Sequence, residues 1–218
     1  MNPLIEGIAA PLPFSNLDTD QIMPKQFLRI IDKAGLDRGL LYDLRFDEHG
    51  APRPGFVLNQ EAYAGASVLV AGPNFGCGSS REHAVWGLQQ FGIRAVIAPS
   101  FGEIFYFNAV NNGLLLVSLP PAEVDALLAR VSNTDLAGGN RVAVDVMAGQ
   151  VRAADGWTAG FTVPERHRRM FAQGQDMVDA SLAQLPEVER FEAAHWARHP
   201  WMKDVARTVR DRLDAGRE

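Results

Sequence analysis

Between positions 74 and 92 the chain reads NFGCGSSREHAVWGLQQFG, and the first half of that stretch carries residue types that can do chemistry. Gly76 and Gly78 leave the backbone bare, while Cys77, Ser79, Ser80, Arg81, Glu82 and His83 crowd a thiol, two hydroxyls and three ionisable groups into one short run. A strand that passes through such glycines into a helix aims free N–H groups and the positive end of the helix dipole at one spot. Arg81 adds a fixed cation suited to gripping a carboxylate through paired hydrogen bonds. The stretch is therefore a candidate anion site, with Gly76, Cys77 and Gly78 supplying the turn backbone. It is not a Walker loop, because it lacks that spacing and the Gly-Lys pair. A serine hydroxyl is a poor base in water. Backbone donors at a helix start can stabilise its alkoxide in a dry site, which makes Ser79 a candidate for proton abstraction. The plainer reading is a capping box, Ser79-x-x-Glu82 ahead of an apolar run, with Arg81 solvated and His83 on the surface. Cys77 is a rival nucleophile in the same field.

A second polar cluster lies upstream in SNLDTDQIMPKQF (15–27), where Asp18, Thr19 and Asp20 precede a proline. Two carboxylates without a nearby third ligand are a poor metal site, and Asn16 and Asp18 are ordinary turn formers. The alternative is that one aspartate orients a neighbouring cation or histidine. A third feature, FYFNAVNNG (105–113), puts Asn108, Asn111 and Asn112 in one polar stripe at helical spacing. Asn112 fits a helix end, and the other two are placed to bond across to the glycine turn.

The elements that must hold these residues follow from the apolar pattern. ASVLVAG (66–72), RAVIA (94–98) and LLLVSL (114–119) are short apolar runs of strand length. Helices are predicted between them, one with Ala84, Val85, Leu88 and Phe91 on a single face and ending at Gly92, the next from about Glu103 to Asn112. PPAEVDALLARV (120–131) reads as a further helix with proline at its start. Strand–helix–strand–helix–strand with short connections implies a parallel βαβαβ core in an α/β fold. Ligands of such sheets sit beyond the carboxyl ends of the strands, where the glycine turn falls. From about 140 to 163 the pattern alternates and turns at Ala148-Gly149 and Asp155-Gly156, predicting an added antiparallel ribbon. Residues 1–163 are thus expected to form the main domain and 164–218 a helical C-terminal extension packed on it. The irregular stretch from about Lys25 to Gly55 is a long loop of the functional kind.

Composition narrows the partners. The 218 residues are 47% hydrophobic and 22% charged with a net charge of −5, so a sizeable core is available and nucleic acid is a poor partner. Apolar runs fall far short of a membrane span, and MNPLIEG has no charged region ahead of an apolar one, so neither a membrane anchor nor a signal peptide is expected. The single cysteine points to a reducing compartment, and it cannot hold an iron–sulfur cluster by itself.

Taken together, NLDTDQIMPKQFL, VLVAGPNFGCGSSREHAVWGLQQFGIRAVIAPSFGEIFYFNAVNNGLL and the late Pro-Trp at Trp201 resemble the small subunits of 3-isopropylmalate dehydratases, members of the aconitase superfamily. The resemblance runs through roughly residues 4–202, and the order Gly76-Cys77-Gly78-Ser79-Ser80-Arg81-Glu82-His83-Ala84 is highly specific to the family. It implies a swivelling β/β/α domain closing over a site built mainly by a separate large subunit. That partner would carry a [4Fe–4S] cluster, and this chain would bind no cofactor or metal. The reaction implied is the interconversion of 2- and 3-isopropylmalate through the dehydrated alkene, in cytoplasmic leucine biosynthesis. The resemblance assigns Ser79 as the base, Ser80 and Arg81 as binders of the dicarboxylate substrate, and Asp20 as partner to a histidine of the large subunit. Lys25 to Tyr42 would lie near the substrate's variable group. Ala109 and Leu116 depart from the family's usual cysteine and proline, at packing positions. Related dehydratases of citramalate, dimethylmalate or homoaconitate, a non-catalytic carboxylate-binding module and a Cys77 hydrolase are the alternatives.

Overall fold

The structure, a computed structural model, describes residues 3–28, 34–134 and 138–215. Its elements run β1 (Leu4–Leu12), α1 (Thr19–Ile22), α2 (Tyr42–Arg45), β2 (Val68–Ala71), α3 (His83–Phe91), β3 (Ala95–Ala98), α4 (Glu103–Asn112), β4 (Leu115–Ser118), α5 (Pro121–Val131), β5 (Arg141–Asp145), β6 (Gln150–Ala153), β7 (Thr158–Gly160) and α6 (Glu165–Gln173). The helices α7 (Met177–Leu182), α8 (Leu185–Arg198) and α9 (Val205–Ala215) follow.

All seven strands join one sheet in the order β4-β3-β2-β1-β5-β6-β7. The expected βαβαβ core is present, with β2, β3 and β4 parallel to one another, and so is the antiparallel ribbon of β5, β6 and β7. What joins these halves is β1, which the apolar pattern did not reveal. Its second half pairs parallel with β2 and its first half antiparallel with β5. Gly7 and Pro11 interrupt it, and proline is normally excluded from a central strand because it has no N–H for the ladder. Here Pro11 is accommodated by its side. The Ala9 N–H, two residues earlier and on the same side of the strand, bonds Asn140 O at 2.8 Å, and β5 pairing extends no further than Ile8. The missing donor therefore faces a position without a strand.

Strand alternation divides the apolar interior into two layers. Val68 and Val70 of β2 face one cluster with Ile97, Val117, Leu127, Val144 and Phe171, whereas Leu69 and Ala71 face another with Val85, Leu88 and Phe105. Helix α5 thus covers one face of the parallel strands, and α3 with α4 covers the other. Ala109 and Leu116 lie in the second cluster, 0% and 5% exposed, which confirms them as packing positions. The stretch read as a long functional loop is in part core. Leu36, Leu40 and Leu41 are buried, and the Leu36 N–H bonds Gln90 Oε1 of α3 at 2.8 Å. Residues 29–33, inside the segment assigned to the variable group, lie outside the described residues.

The chain divides into two units, Met1–Asp176 and Met177–Glu218. Helix α6 belongs to the first, because Met170 and Phe171 are buried in it. The second consists of α7, α8 and α9 and carries exposed apolar side chains, among them Phe191, Trp201 and Leu213. Within it the rings of His195 and His199 lie 5.0 Å apart, and Trp196 Nε1 donates to Glu192 Oε1 at 3.0 Å.

The two-layer arrangement predicts that Leu69→Ala, which empties a fully buried site between β2 and its helices, lowers the unfolding free energy by about 2–5 kcal/mol. Urea denaturation with an unchanged slope would report it.

Candidate active site

Three loops leave the carboxyl ends of β1, β2 and β3, and backbone hydrogen bonds lace them together. The Gly76 N–H bonds Leu17 O at 2.8 Å and the Thr19 N–H bonds Cys77 O at 2.9 Å, so the first two loops run as a short parallel bridge. The Phe75 N–H bonds Ser100 O at 3.1 Å, and the Gly102 N–H returns to Phe75 O at 2.9 Å, which ties in the third. Side chains add to the lacing: Asn74 Nδ2 donates to Asn16 Oδ1 at 2.8 Å and the Asn74 N–H to Ser100 Oγ at 2.9 Å. Gly76 has φ +74°, and a Cβ there would sit 2.3 Å from the Phe105 ring. Gly78 has φ +103°. Both positions demand glycine on conformation, and the first on space as well.

The lacing brings Ser79, Arg81, Thr19 and Asp20 together. Arg81 Nε donates to Ser79 Oγ at 2.8 Å. Thr19 Oγ1 stands 2.9 Å from the same oxygen and accepts the Ser79 N–H at 3.0 Å. Arg81 Nη2 pairs with Asp20 Oδ1, and Lys25 Nζ lies 3.5 Å from Asp20 Oδ2. The side chains of Arg81 and Asp20 remain 31% and 40% exposed, so the cluster is open to solvent. A guanidinium fixed at Nε by the serine and at Nη2 by the aspartate keeps its remaining N–H groups for a ligand carboxylate.

This arrangement corrects two expectations. The capping box of Ser79 and Glu82 does not form. Helix α3 begins at His83, Glu82 occupies the cap position with no side-chain bond, and Ser79 is bound instead by Arg81 and Thr19. The side chains seen on the Ser79 oxygen are thus a cation and a hydroxyl, where the sequence pointed to helix-start amides. The capping box that does form is Asp18 with Gln21 at α1, where the Gln21 N–H bonds Asp18 Oδ1 at 2.7 Å and Asp18 N–H bonds Gln21 Oε1 at 3.0 Å. That Asp-x-x-Gln spacing was the readable signal. Nor is His83 a free surface residue: its ring is half-buried, 4.9 Å from that of Trp86.

Of the asparagine stripe, Asn108 reaches the turn. Asn108 Nδ2 donates to Ser80 O at 3.1 Å, Asn112 Nδ2 donates to Asn108 O at 2.8 Å, and Asn112 Oδ1 accepts Trp86 Nε1 at 2.9 Å. Helices α3 and α4 are therefore cross-linked behind Ser80, whose own side is exposed. Cys77 Sγ lies 3.5 Å from Asn16 O, a backbone contact rather than a pairing with a base. Among the described residues, no group of three or more His, Cys, Asp or Glu side chains could hold a metal ion. Thr19 did not stand out from sequence: it lies between two carboxylates, and its contacts with Ser79 exist only when the second loop is folded over it.

With this geometry in view, comparison with known proteins is informative. Residues 4–122 match the aconitase C-terminal domain family, which sets the class. The 3-isopropylmalate dehydratase small subunit 1 of Chromobacterium violaceum is 61% identical over 209 residues, covering 96% of this chain and 97% of the relative. The small subunit 2 of the Salmonella typhimurium enzyme is 45% identical over 202 residues, covering 93% and 95% respectively. The crystal structure of 3-isopropylmalate dehydratase from Methanocaldococcus jannaschii superposes with a TM-score of 0.61 at 28% identity, over 86% of this chain and 99% of that one. The chain belongs to the 3-isopropylmalate dehydratase small-subunit family.

Because Gly76 combines a positive φ with ring contact, Gly76→Ala is expected to cost about 1–3 kcal/mol of stability. A thermal melt of the purified chain measures it, and an unchanged midpoint would refute the packing argument.

Proposed function

We propose that the chain acts as the small subunit of a hydro-lyase that interconverts 2-isopropylmalate and 3-isopropylmalate by dehydration and rehydration in leucine biosynthesis, active only with its large subunit. The reading is carried by one observation: a serine oxygen held between a guanidinium and a buried hydroxyl at the open end of a parallel sheet. In it Ser79 is the base. It takes the carbon-bound proton, the C–H electron pair becomes the second bond of the alkene, and the hydroxyl leaves with the C–O pair. Rehydration adds a hydroxyl to the carbon that lost the proton, and Ser79 returns a proton to the carbon that lost the hydroxyl, which gives the other isomer. Arg81, held by Asp20, binds a substrate carboxylate, and the exposed Ser80 adds a donor beside it. Asp20 keeps one oxygen toward Lys25 and the open side, where a histidine of the large subunit would meet it. The turn backbone of Gly76, Cys77 and Gly78 sets the position of the base.

A [4Fe–4S] cluster needs three or four thiolates, and this chain has one cysteine, so the cluster is assigned to the partner. Bound there, it would supply Lewis-acid assistance to the departing hydroxyl. No helix among the described residues is long and apolar enough to cross a membrane. The lone cysteine supports a cytoplasmic setting.

Two variants test this in the assembled enzyme. Ser79→Ala is expected to lower kcat by about 10²–10⁴-fold, the range of general-base catalysis, with assembly intact. Wild-type turnover in that variant would remove Ser79 as the base. Arg81→Lys keeps the charge but loses the planar fork that contacts Ser79 and Asp20 at once. It is expected to raise KM as well as lower kcat in steady-state assays.

A further inference from the structure

We propose that Thr19 is a positioning residue for the reaction, whose hydroxyl donates to Ser79 Oγ whenever that oxygen carries negative charge. The inference rests on the reading of Ser79 as the base and goes beyond it by naming the group that holds that base ready.

Burial gives the first argument. Thr19 is 3% exposed, and beside Tyr63, whose hydroxyl donates to Val131 O, it is the only buried residue with a polar side chain among the described residues. A hydroxyl taken out of water needs partners, and both partners of this side chain belong to Ser79: the N–H at 3.0 Å and the Oγ at 2.9 Å. Hydrogen-bond accounting gives the second. A threonine hydroxyl has one proton and two lone pairs. One lone pair receives the Ser79 N–H. A neutral Ser79 can share the remaining contact in either direction, but an ionised Ser79 has no proton to give. In that state the 2.9 Å contact is a hydrogen bond only with Thr19 as donor. Arg81 Nε then completes a pair of donors on the oxygen at 2.8 Å, leaving a lone pair for the proton of the substrate.

The fold keeps this hydroxyl in place. Thr19 opens α1 behind the Asp18–Gln21 capping box, and its own N–H is tied to Cys77 O at 2.9 Å, one loop away. Its branched Cβ restricts rotation. Gly78 leaves room for it, since a Cβ there would stand 3.3 Å from Thr19 Oγ1. Arg81 is the charged group seen on Ser79 Oγ from the second loop; Asp20 pairs with Arg81 from the first, and Lys25 pairs with Asp20.

The test uses the small subunit assembled with its large subunit and compares wild type, Ser79→Ala, Thr19→Val and Thr19→Ser. Removing one donor from a charged oxygen costs about 10²–10³-fold in kcat, and Thr19→Val is expected to fall in that range with KM within a factor of about two. Losing a donor disfavours the ionised serine, so the rising limb of kcat/KM against pH moves to higher pH. Thr19→Ser, which keeps the hydroxyl, should recover most of kcat and return the limb to its wild-type position. Wild-type kcat in Thr19→Val would overturn the inference and leave the dehydratase reading standing. Equal losses in Thr19→Val and Thr19→Ser with an unmoved limb would also overturn it, by showing a packing role. If Thr19→Val does not assemble, Thr19→Ala carries the same comparison. No dehydration by the wild-type assembly would overturn the dehydratase reading itself, and this inference with it.

Discussion

The contact on which the site depends is the one between Arg81 and Ser79. It places a permanent cation 2.8 Å from the oxygen proposed as the base. An alkoxide is unfavourable in water, and a neighbouring guanidinium in a partly enclosed setting is the direct way to favour the charged form. The same guanidinium is anchored at its far end by Asp20, so its orientation is fixed from two loops at once. Neither loop could do this alone. Ser79 and Arg81 belong to the connection after β2, Thr19 and Asp20 to the one after β1, and the backbone bridge between Asp18 and Cys77 holds the two in register.

The sheet explains why these loops are neighbours. Strand β1 pairs along β2 through Leu12 and Ala71, so the chain leaves both strands at the same edge and in the same direction. The third loop, after β3, supports the turn through Ser100 and Gly102 without contributing to the Ser79 cluster. Behind it, Asn108, Asn112 and Trp86 form a chain of hydrogen bonds from the turn into α4 and α3. The site is therefore braced by hydrogen bonds at its back and open at its front.

Much of this was legible in the sequence, for physical reasons that differ by segment. The strands β2, β3 and β4 were readable because each is a short run, apolar or nearly so, ended by glycine or proline, and α4 because Gly113 closes it in the left-handed conformation. Ser79 and Arg81, which the fold brings into contact, stood out because the glycine-serine-arginine order is unusual. Strand β1 was not, since Gly7 and Pro11 erase its β signal and its burial comes from neighbours on both sides. The capping box at Ser79 was read wrongly because local spacing favoured it, whereas a tertiary partner, Thr19, captured the hydroxyl. Thr19 itself could not be recognised from one dimension. Its sequence neighbours are two aspartates, and its hydrogen-bond partner is a residue sixty positions away.

The account stands on Ser79 being the atom that removes the proton, inside a site this chain supplies only in part. The most direct test is retention of label. Substrate deuterated at the carbon that loses its proton is incubated with the assembled enzyme bearing Ser79→Ala, and the deuterium at that carbon is followed by NMR alongside a binding titration. The account predicts that the variant binds the substrate yet keeps the deuterium at that carbon, while wild type removes it from that carbon during turnover, to the neighbouring carbon or to water. Removal by the variant at the wild-type rate would contradict the account.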